Sequence, residues 1–344
     1  MFAKKIISWY LKNKRDLPWR NTDNPYYIWL SEIILQQTRV QQGLPYYEKF
    51  VENFQTVENL AAANEGEVLR LWQGLGYYSR GRNLPKTAKV VVDEFGGKFP
   101  DNFRDLQKLK GVGKYTAAAI ASFAFNESVP AIDGNALRVI ARFFEIFDPI
   151  DSPTVQKNIF EISSGLMKNV HAGNYNQAVM ELGAIVCTPK NPSCRACPIN
   201  IECKAFEHKS VGNIPIKAKK TKVSNKFLQY FVFEYNSHLW LKKRTENEIW
   251  ANMYDFYLVE SENLEYFENL EKCIQEFKID AEEIINYPTI SHILTHQRQQ
   301  IVFVKIRCKS NPIIENGDWY NSAELDELAK PKIIVDFLER LKKD

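Results

Sequence analysis

Four of the six cysteines lie within one stretch of seventeen residues. Cys187, Cys194, Cys197 and Cys203 have the spacing C-x6-C-x2-C-x5-C. Four thiolates can hold a [4Fe–4S] cluster or a zinc ion. Zinc sites more often use two separated C-x-x-C pairs, so four thiolates in one short loop favour the iron–sulfur cluster. Disulfide pairing is not expected, because the sequence begins without an export signal.

A glycine-bracketed turn is the second candidate site. The stretch LKGVGKYTAAAIASF places Gly111 and Gly113 just before an alanine-rich helix. Glycines let the backbone approach a ligand closely, and a helix start offers unpaired N–H groups and a positive dipole end that suit phosphate. A turn that needs glycine only for packing stays open as an alternative. Phosphate binding is favoured by the flanking lysines Lys108, Lys110 and Lys114.

Two carboxylates stand in unusual surroundings. Asp133 in VPAIDGN follows an apolar extended run and precedes a helix. Its simplest role is that of a helix N-cap, but its position also predicts a carboxylate at the mouth of the helical core. Glu32 in YIWLSEIILQQ has apolar neighbours, and a carboxyl group in such a setting keeps its proton more readily and can act as an acid. The alternative for Glu32 is an exposed glutamate on a polar helix edge.

The chain has 344 residues, enough for two or three domains. Residues 1–220 have 29 Lys and Arg against 21 Asp and Glu, a net charge of +8, whereas residues 221–344 have 16 against 21, a net charge of −5. The basic first part favours an anionic partner. No apolar run reaches the roughly 20 residues that a membrane span needs, so no membrane partner is expected. The first residues make a poor signal peptide, which predicts a cytoplasmic protein.

The hydrophobic pattern changes along the chain. Residues 1–205 have helical periodicity throughout, whereas the later part combines alternating strand patterns with two helices. A basic, proline-interrupted stretch separates the two parts. We predict an all-α domain at 1–210 with the cysteine loop at 187–203, a linker at 211–224 and an α+β domain at 225–344.

The motifs recur in the order that is typical of one enzyme family. LPWR, WLSEIILQQTRV, LWQGLGYYSRGRNL, LKGVGKYTAAAI, AIDGNALRV and MELGAIVCTPKNPSCRACPINIEC cover the whole first domain. In these motifs the chain resembles the adenine DNA glycosylase (MutY) family, which combines a helix–hairpin–helix domain, an iron–sulfur cluster and a Nudix-like C-terminal domain. The resemblance implies that the second domain recognises 8-oxoguanine. The Nudix hydrolase signature is absent from RTENEIWANMYDFYLVESE, so it also implies recognition without pyrophosphate hydrolysis.

The resemblance assigns catalytic roles to four residues. Glu32 matches the general acid that protonates N7 of adenine, and Asp133 matches the carboxylate that stabilises the oxocarbenium ion. Tyr115 and Asn135 match residues that support Asp133 and the intermediate. Bifunctional relatives that resemble endonuclease III have a lysine at the position of Tyr115, and that amine forms a Schiff base. A phenol cannot form an imine, so the resemblance implies a monofunctional enzyme.

The resemblance also assigns DNA contacts. In the first domain, residues that fill or wedge the gap left by the flipped base match Gln37, Leu75 and the intercalating Tyr77. The phosphate-binding hairpin matches Gly111, Val112, Gly113 and Lys114. In the C-terminal domain, the family's Phe-Ser-His triplet for the oxidised guanine matches Leu294, Thr295 and His296, so that the hydroxyl and the imidazole are kept.

The expected function is therefore base excision repair. The resemblance implies a monomer that binds double-stranded DNA, flips adenine out from opposite 8-oxoguanine or guanine, and hydrolyses its N-glycosidic bond. Three alternatives belong to other classes: a bifunctional endonuclease III-like lyase, a DNA-binding protein without activity, and a Nudix nucleotide hydrolase. Tyr115 argues against the first, the presence of Glu32 and Asp133 against the second, and the missing carboxylate signature against the third.

Overall fold

A computed structural model describes residues 1–218, 223–261, 266–293 and 297–343. The chain divides into two compact units. The first contains Met1–Ala63 and Asn83–Lys220, and the second contains Asn64–Arg82 and Thr221–Asp344. No helix in the described ranges combines the length and the apolar character that crossing a bilayer requires.

The first unit is helical, as the periodicity predicts. The α-helices that precede the sheet in sequence are α1 (Phe2–Asn13), α2 (Pro25–Leu35), α3 (Val40–Asn53), α4 (Val57–Ala62), α5 (Glu65–Trp72), α6 (Ser79–Phe95), α7 (Phe103–Leu106), α8 (Lys114–Phe125), α9 (Gly134–Phe144), α10 (Pro153–Leu166), α11 (Ala172–Ile185) and α12 (Lys204–Glu207). Helix α5 and the first turn of α6 belong to the second unit, and the others belong to the first. Helix α11 packs against α1, α8 and α9, and α2 packs against α8. Large buried side chains such as Tyr10 and Tyr175 fill the core between α1, α9 and α11.

Local signals set the ends of the helices that matter for the site. Helix α2 begins at Pro25 because the Asn24 side chain accepts from the Tyr26 N–H at 2.9 Å and proline suits the first helical position. Helix α8 is alanine-rich, which favours helix, and ends at the left-handed Asn126. Before the glycine turn, the stretch FRDLQKLK forms only the short helix α7, which ends at Leu106 and is followed by turns.

The second unit contains an eight-stranded mixed sheet, which confirms the α+β class. Its elements are β1 (Ser224–Tyr235), β2 (His238–Lys243), β3 (Tyr254–Asp255), β4 (Tyr257–Ser261), α13 (Tyr266–Glu276), β5 (Ala281–Asn286), β6 (Ile290–Ile293), β7 (Gln297–Cys308), β8 (Asp318–Tyr320), α14 (Ser322–Glu327) and α15 (Lys332–Leu341). The strand order is β3-β2-β1-β7-β5, with β4 on β1, β6 on β7 and β8 on β2. Strands β1 and β7 run parallel, and β1 and β2 form a hairpin that turns at Asn236 and Ser237, both with positive φ.

The segment Asn64–Arg82 belongs to the same compact unit as the C-terminal part of the chain, although it lies between two stretches of the first unit in sequence. Glu65 accepts from Asn252 at 2.7 Å, and Arg70 pairs with Glu327 at 2.8 Å. These polar contacts join residues up to 257 positions apart, so the hydrophobic pattern that predicted one domain at 1–210 could not reveal them.

Candidate active site

Glu32, Tyr115 and Asp133 come together in the first unit from three different helices. Glu32 lies on α2 and is 7% exposed, so it is not the surface glutamate that the simpler interpretation expects. Burial raises its pKa to about 7, and the negative charge of Asp133 adds to the effect, while a hydrogen bond from the Tyr115 hydroxyl and the charge of Arg20 oppose it. About half of the Glu32 side chains are therefore protonated at pH 7, which suits a general acid.

Asp133 is held as the N-cap of α9. Its Oδ1 accepts from the Ala136 N–H at 2.7 Å, and its Oδ2 accepts from the Asn135 Nδ2 at 2.7 Å. Burial raises the pKa of Asp133, and these two hydrogen bonds oppose the rise. Asp133 is thus both the helix cap and the catalytic candidate. Because both of its carboxylate oxygens accept hydrogen bonds at the start of a helix, the group is held in one orientation.

Asn135 is itself positioned by Arg138. Arg138 Nη2 donates to the Asn135 Oδ1 at 2.8 Å and to the Gly183 carbonyl at 2.7 Å, and its Nε donates to the Cys187 carbonyl at 2.7 Å. This arginine is 8% exposed and joins the start of α9 to the end of α11. Its contacts are not apparent from the sequence, although a charged residue in the apolar helix ALRVIARFF is a signal of a buried role.

A buried cluster of one glutamate and two arginines is a second feature that is not apparent from the sequence. Glu181 has a fully buried side chain and pairs with Arg15 and Arg20, each at 2.6 Å. Burial alone would raise the pKa of Glu181, but the hydrogen bonds from the two arginines bring it down to about 2. The group is therefore ionised, and it fixes Arg20 near enough to Glu32 to affect its pKa.

One glycine of the predicted phosphate-binding hairpin has a left-handed backbone conformation. Gly111 has φ of +78°, a conformation that favours glycine, whereas Gly113 has φ of −80° and ψ of 176° and is the N-cap of α8. A Cβ on Gly113 would meet no atom within 4 Å, which leaves room for a ligand to approach the first turn. The Val112 side chain is buried, and its N–H donates to the Leu109 carbonyl at 3.1 Å. The Lys114 ammonium lies 4.5 Å from the centroid of the Phe160 ring.

The predicted base-wedging residues lie in both units. Gln37 is exposed just after α2 in the first unit, with φ of +56°. Leu75 and Tyr77 belong to the second unit, where Leu75 is buried and Tyr77 is half exposed with φ of +46°. Positive φ in two exposed non-glycine residues is the type of local strain that clusters at functional sites. Leu294, Thr295 and His296 lie outside the described residues.

All four clustered cysteines line one cavity in the first unit, between α9, α11 and the loop that follows α11. They form no disulfide, and apolar side chains make up most of the remaining wall. Burial raises the pKa of the Cys197 thiol to about 11, and the three neighbouring cysteines add to this rise. Over the described ranges, no three His, Cys, Asp or Glu side chains converge closely enough to hold a single metal ion as they stand.

We expect the Gly183→Ala variant to slow base excision because Gly183 on α11 packs directly against Asn135 on α9. A Cβ there would lie 2.6 Å from the Asn135 Cβ and 3.0 Å from its carbonyl oxygen, so Asn135, which donates to Asp133, would have to shift. Single-turnover kinetics should show a rate lowered at least about tenfold at unchanged DNA affinity. The control is Gly165→Ala, where a Cβ meets nothing within 4 Å. A normal rate in the Gly183 variant would contradict this role.

The arrangement combines a protonated buried carboxyl group with a second carboxylate fixed by two hydrogen bonds. Such a pair can donate a proton to a leaving group and stabilise positive charge that develops on the other side of the breaking bond. The chemistry matches glycosidic bond hydrolysis, in which two carboxyl groups divide these roles.

Comparison with known proteins agrees with this chemistry. A model of the HhH-GPD superfamily of base excision DNA repair proteins matches residues 30–161, and a NUDIX domain model matches residues 229–340. An adenine DNA glycosylase of Buchnera aphidicola (from Schizaphis graminum) is 31% identical over 99% of both chains. The rat adenine DNA glycosylase is 44% identical over 222 residues, 62% of this chain and 43% of the relative. A solved thermostable thymine-DNA glycosylase matches with a TM-score of 0.55 and 30% identity, over 60% of this chain and 95% of that one. The chain belongs to the adenine DNA glycosylase family of base excision repair enzymes.

Proposed function

We propose that this enzyme removes adenine paired with 8-oxoguanine or guanine in double-stranded DNA and leaves the strand uncut. The observation that carries the proposal is the buried Glu32, whose pKa of about 7 makes it a proton donor beside Asp133. The similarity to adenine DNA glycosylases over nearly the full chain supports the choice of adenine as the base removed.

The proposed reaction begins with a flipped adenine, which costs a few kcal/mol of stacking and pairing. Glu32 transfers its proton to N7 of the base, and the electron pair of the C1′–N9 bond then leaves with the base. Positive charge grows on the sugar ring, and the ionised Asp133 stabilises it. Water completes the hydrolysis at C1′ and loses a proton, and Glu32 becomes protonated again from solvent.

Tyr115 supports the monofunctional form of this reaction. Its hydroxyl donates to Glu32, and burial together with the charges of Glu32 and Asp133 raises its pKa well above the ordinary value. The phenol therefore stays neutral and positions the acid. A bifunctional lyase, the alternative function, needs an amine at this position for the Schiff base, and Tyr115 provides none.

We further propose that the four cysteines of the first unit hold a [4Fe–4S] cluster. The residues present fit such a group, because four thiols line one mostly apolar cavity in a single short loop. Arg142, whose Nη1 lies 3.4 Å from the Cys187 Sγ, would add a hydrogen bond to a ligand sulfur. When bound, the cluster would hold the loop in shape; no catalytic step in the proposed reaction requires it.

The cluster makes a direct prediction about metal content. The wild-type protein should contain about four iron and four acid-labile sulfide per chain, as the formula of the cluster requires, and Cys197→Ser should lose most of both. The control is Cys273→Ala, because Cys273 is buried in the second unit and is not one of the four clustered cysteines of the first unit. One zinc ion per chain, with no labile sulfide, would contradict the proposal.

We propose that the sheet domain recognises the oxidised guanine through Thr295 and His296. The Thr295→Ala and His296→Ala variants should each reduce the preference for 8-oxoguanine over guanine opposite adenine by up to about tenfold, the value of one hydrogen bond. The measurement is the ratio of the kcat/KM values for the two duplexes. The control is His238→Ala, at the start of β2 in the same domain. An unchanged ratio in both variants would contradict this assignment.

Two sets of residues are proposed to contact DNA. We propose that Gln37, Leu75 and Tyr77 fill the space left by the flipped base and that the hairpin Gly111–Lys114 binds backbone phosphate.

We also propose that the enzyme acts as a monomer in the bacterial cytoplasm, with a catalytic domain at 1–210, a linker at 211–224 and a recognition domain at 225–344. Analytical ultracentrifugation with and without a lesion duplex tests the monomeric state.

A further inference from the structure

An aromatic groove in the first unit plays no part in the reaction described above. It has a volume of about 880 Å³ and lies between four chain segments: the start of α2, the α3–α4 connection, the α6–α7 connection and the end of α8. We call it the acidic groove because three carboxylates are among its lining residues. Its lining consists of Asp23–Tyr27, Gln55–Glu58, Phe95, Gly97–Asp101 and Phe125.

Aromatic rings form much of its wall. Tyr26 and Phe99 are buried, whereas Phe125 is 37% exposed. The hydroxyl of Tyr26 donates to the Phe54 carbonyl at 2.6 Å, and that of Tyr27 donates to the Gln55 carbonyl at 3.1 Å. Because the Tyr27 hydroxyl is already bonded within the protein, its partly exposed ring contributes mainly apolar and π surface to the groove, whereas the Tyr26 ring is buried beneath it.

The charges in the groove are mostly negative. Asp23, Glu58 and Asp101 are exposed, and Lys98 is the single cation among the lining residues, so the local net charge is −2. A hydrogen bond from Thr56, aided by one from its own backbone, lowers the pKa of Glu58 and keeps it ionised. This negative site stands out because residues 1–220 have a net charge of +8.

The groove does not suit an anion. The two helix N-termini at its edge are already capped, α2 by the Asn24 side chain and α4 by the reciprocal Thr56–Asn59 capping box. The carboxylates would also repel phosphate, which disfavours DNA binding in the groove.

The groove lies at the opposite ends of the two helices that build the active site. Helix α2 starts in the groove at Pro25 and has Glu32 near its other end, and α8 starts at the hairpin residue Lys114 and ends in the groove at Phe125. Eleven or twelve helical residues span roughly 16–18 Å. An occupant of the groove would therefore leave the catalytic end of these helices accessible.

We propose that the acidic groove is a docking site for an extended, arginine- or lysine-bearing segment of a partner protein. Carboxylates that share one groove with the partly exposed rings of Tyr27 and Phe125 suit a guanidinium or ammonium group, which can gain from both the ring quadrupole and the opposite charge. The volume accommodates several side chains of such a segment.

The test uses a fluorescein-labelled peptide, Gly-Arg-Gly-Arg-Gly-Arg-Gly, and fluorescence anisotropy at 0.15 M salt with the full-length protein. We expect saturable binding to the wild type and a Kd raised at least about tenfold by the double variant Asp23→Lys/Asp101→Lys. Phe125→Ser should also raise the Kd, because it removes an aromatic wall without changing the charge. Both variants should keep wild-type adenine excision, which shows that they are folded.

A matched control separates the groove from general negative charge. Asp148 and Glu161 are exposed carboxylates of the same unit outside the groove, so Asp148→Lys/Glu161→Lys should change the Kd less than twofold. Equal weakening by both double variants would overturn the proposal, as would wild-type affinity in the groove variants or the absence of saturable binding. Tighter binding of the corresponding Gly-Glu peptide would also overturn it.

Discussion

Asp133→Asn is expected to slow adenine excision by at least about 10³-fold while leaving the fold and lesion-DNA affinity intact. The substitution removes the negative charge that would stabilise the oxocarbenium ion, an effect comparable to removing a principal electrostatic group from other active sites. Asparagine is as good an N-cap as aspartate, so its Oδ1 can still accept from the Ala136 N–H. The measurements are single-turnover excision rates and a binding titration with the same lesion duplex.

A matched variant shows whether the loss is specific to Asp133. Asp105→Asn removes another carboxylate next to a helix-capping asparagine, Asn102, and should leave excision unchanged. If Asp133→Asn lost DNA affinity and melting temperature in proportion to excision, its carboxylate would be a structural cap and the catalytic assignment would be wrong.

Glu32→Gln is the second variant with a large expected effect. Glutamine has nearly the shape of glutamic acid but cannot transfer a proton, so excision should slow by about 10²–10⁴-fold, the usual contribution of general acid catalysis. The wild-type rate should also fall about tenfold per pH unit above pH 7, because Glu32 must be protonated and its pKa is about 7. The variant should lack this decline. A wild-type pH profile that stays flat from pH 6 to 9 would contradict the role of Glu32 as the acid.

The same pKa predicts the sign of a stability change. A carboxyl group whose pKa rises from 4.5 in the unfolded chain to about 7 in the native state stabilises the fold most at low pH and loses that contribution as pH rises through 7. Ionised Glu32 therefore costs about 3 kcal/mol near pH 8. Glu32→Gln removes this cost, so we expect its melting temperature to exceed that of the wild type at pH 8. Equal melting temperatures at pH 8 would show that Glu32 is not buried as an acid.

The catalytic helices could be predicted from the sequence because their signals are local. The alanine-rich run after Gly113 and the aspartate before GNALRVIARFF give the observed starts of α8 and α9. The apolar neighbours of Glu32 indicated its burial for the same reason. In the second unit, the long β1 and β7 strands contain short continuous runs of aromatic and β-branched residues, which favour buried strands, so they too were predictable.

Other features depend on contacts that a local pattern does not contain. Glu181 meets Arg15 and Arg20 across more than 160 residues, and only the packing of α11 shows this. The short strands β3 and β8 have two or three residues each, too few to display a period. The positive φ of Gln37 and Tyr77 was also unpredictable, because neither residue type favours that conformation.

The measurement that tests the central claim most directly is adenine release from duplexes that place adenine opposite 8-oxoguanine, guanine or thymine, with and without alkali. We predict that the strand breaks only after alkali, at the 8-oxoguanine and guanine pairs, and that the thymine pair stays intact. Strand breaks before alkali would indicate a lyase and contradict the role of Tyr115. No abasic site in any duplex, from protein with its full iron content, would contradict the assignment of Glu32 and Asp133 as catalytic residues.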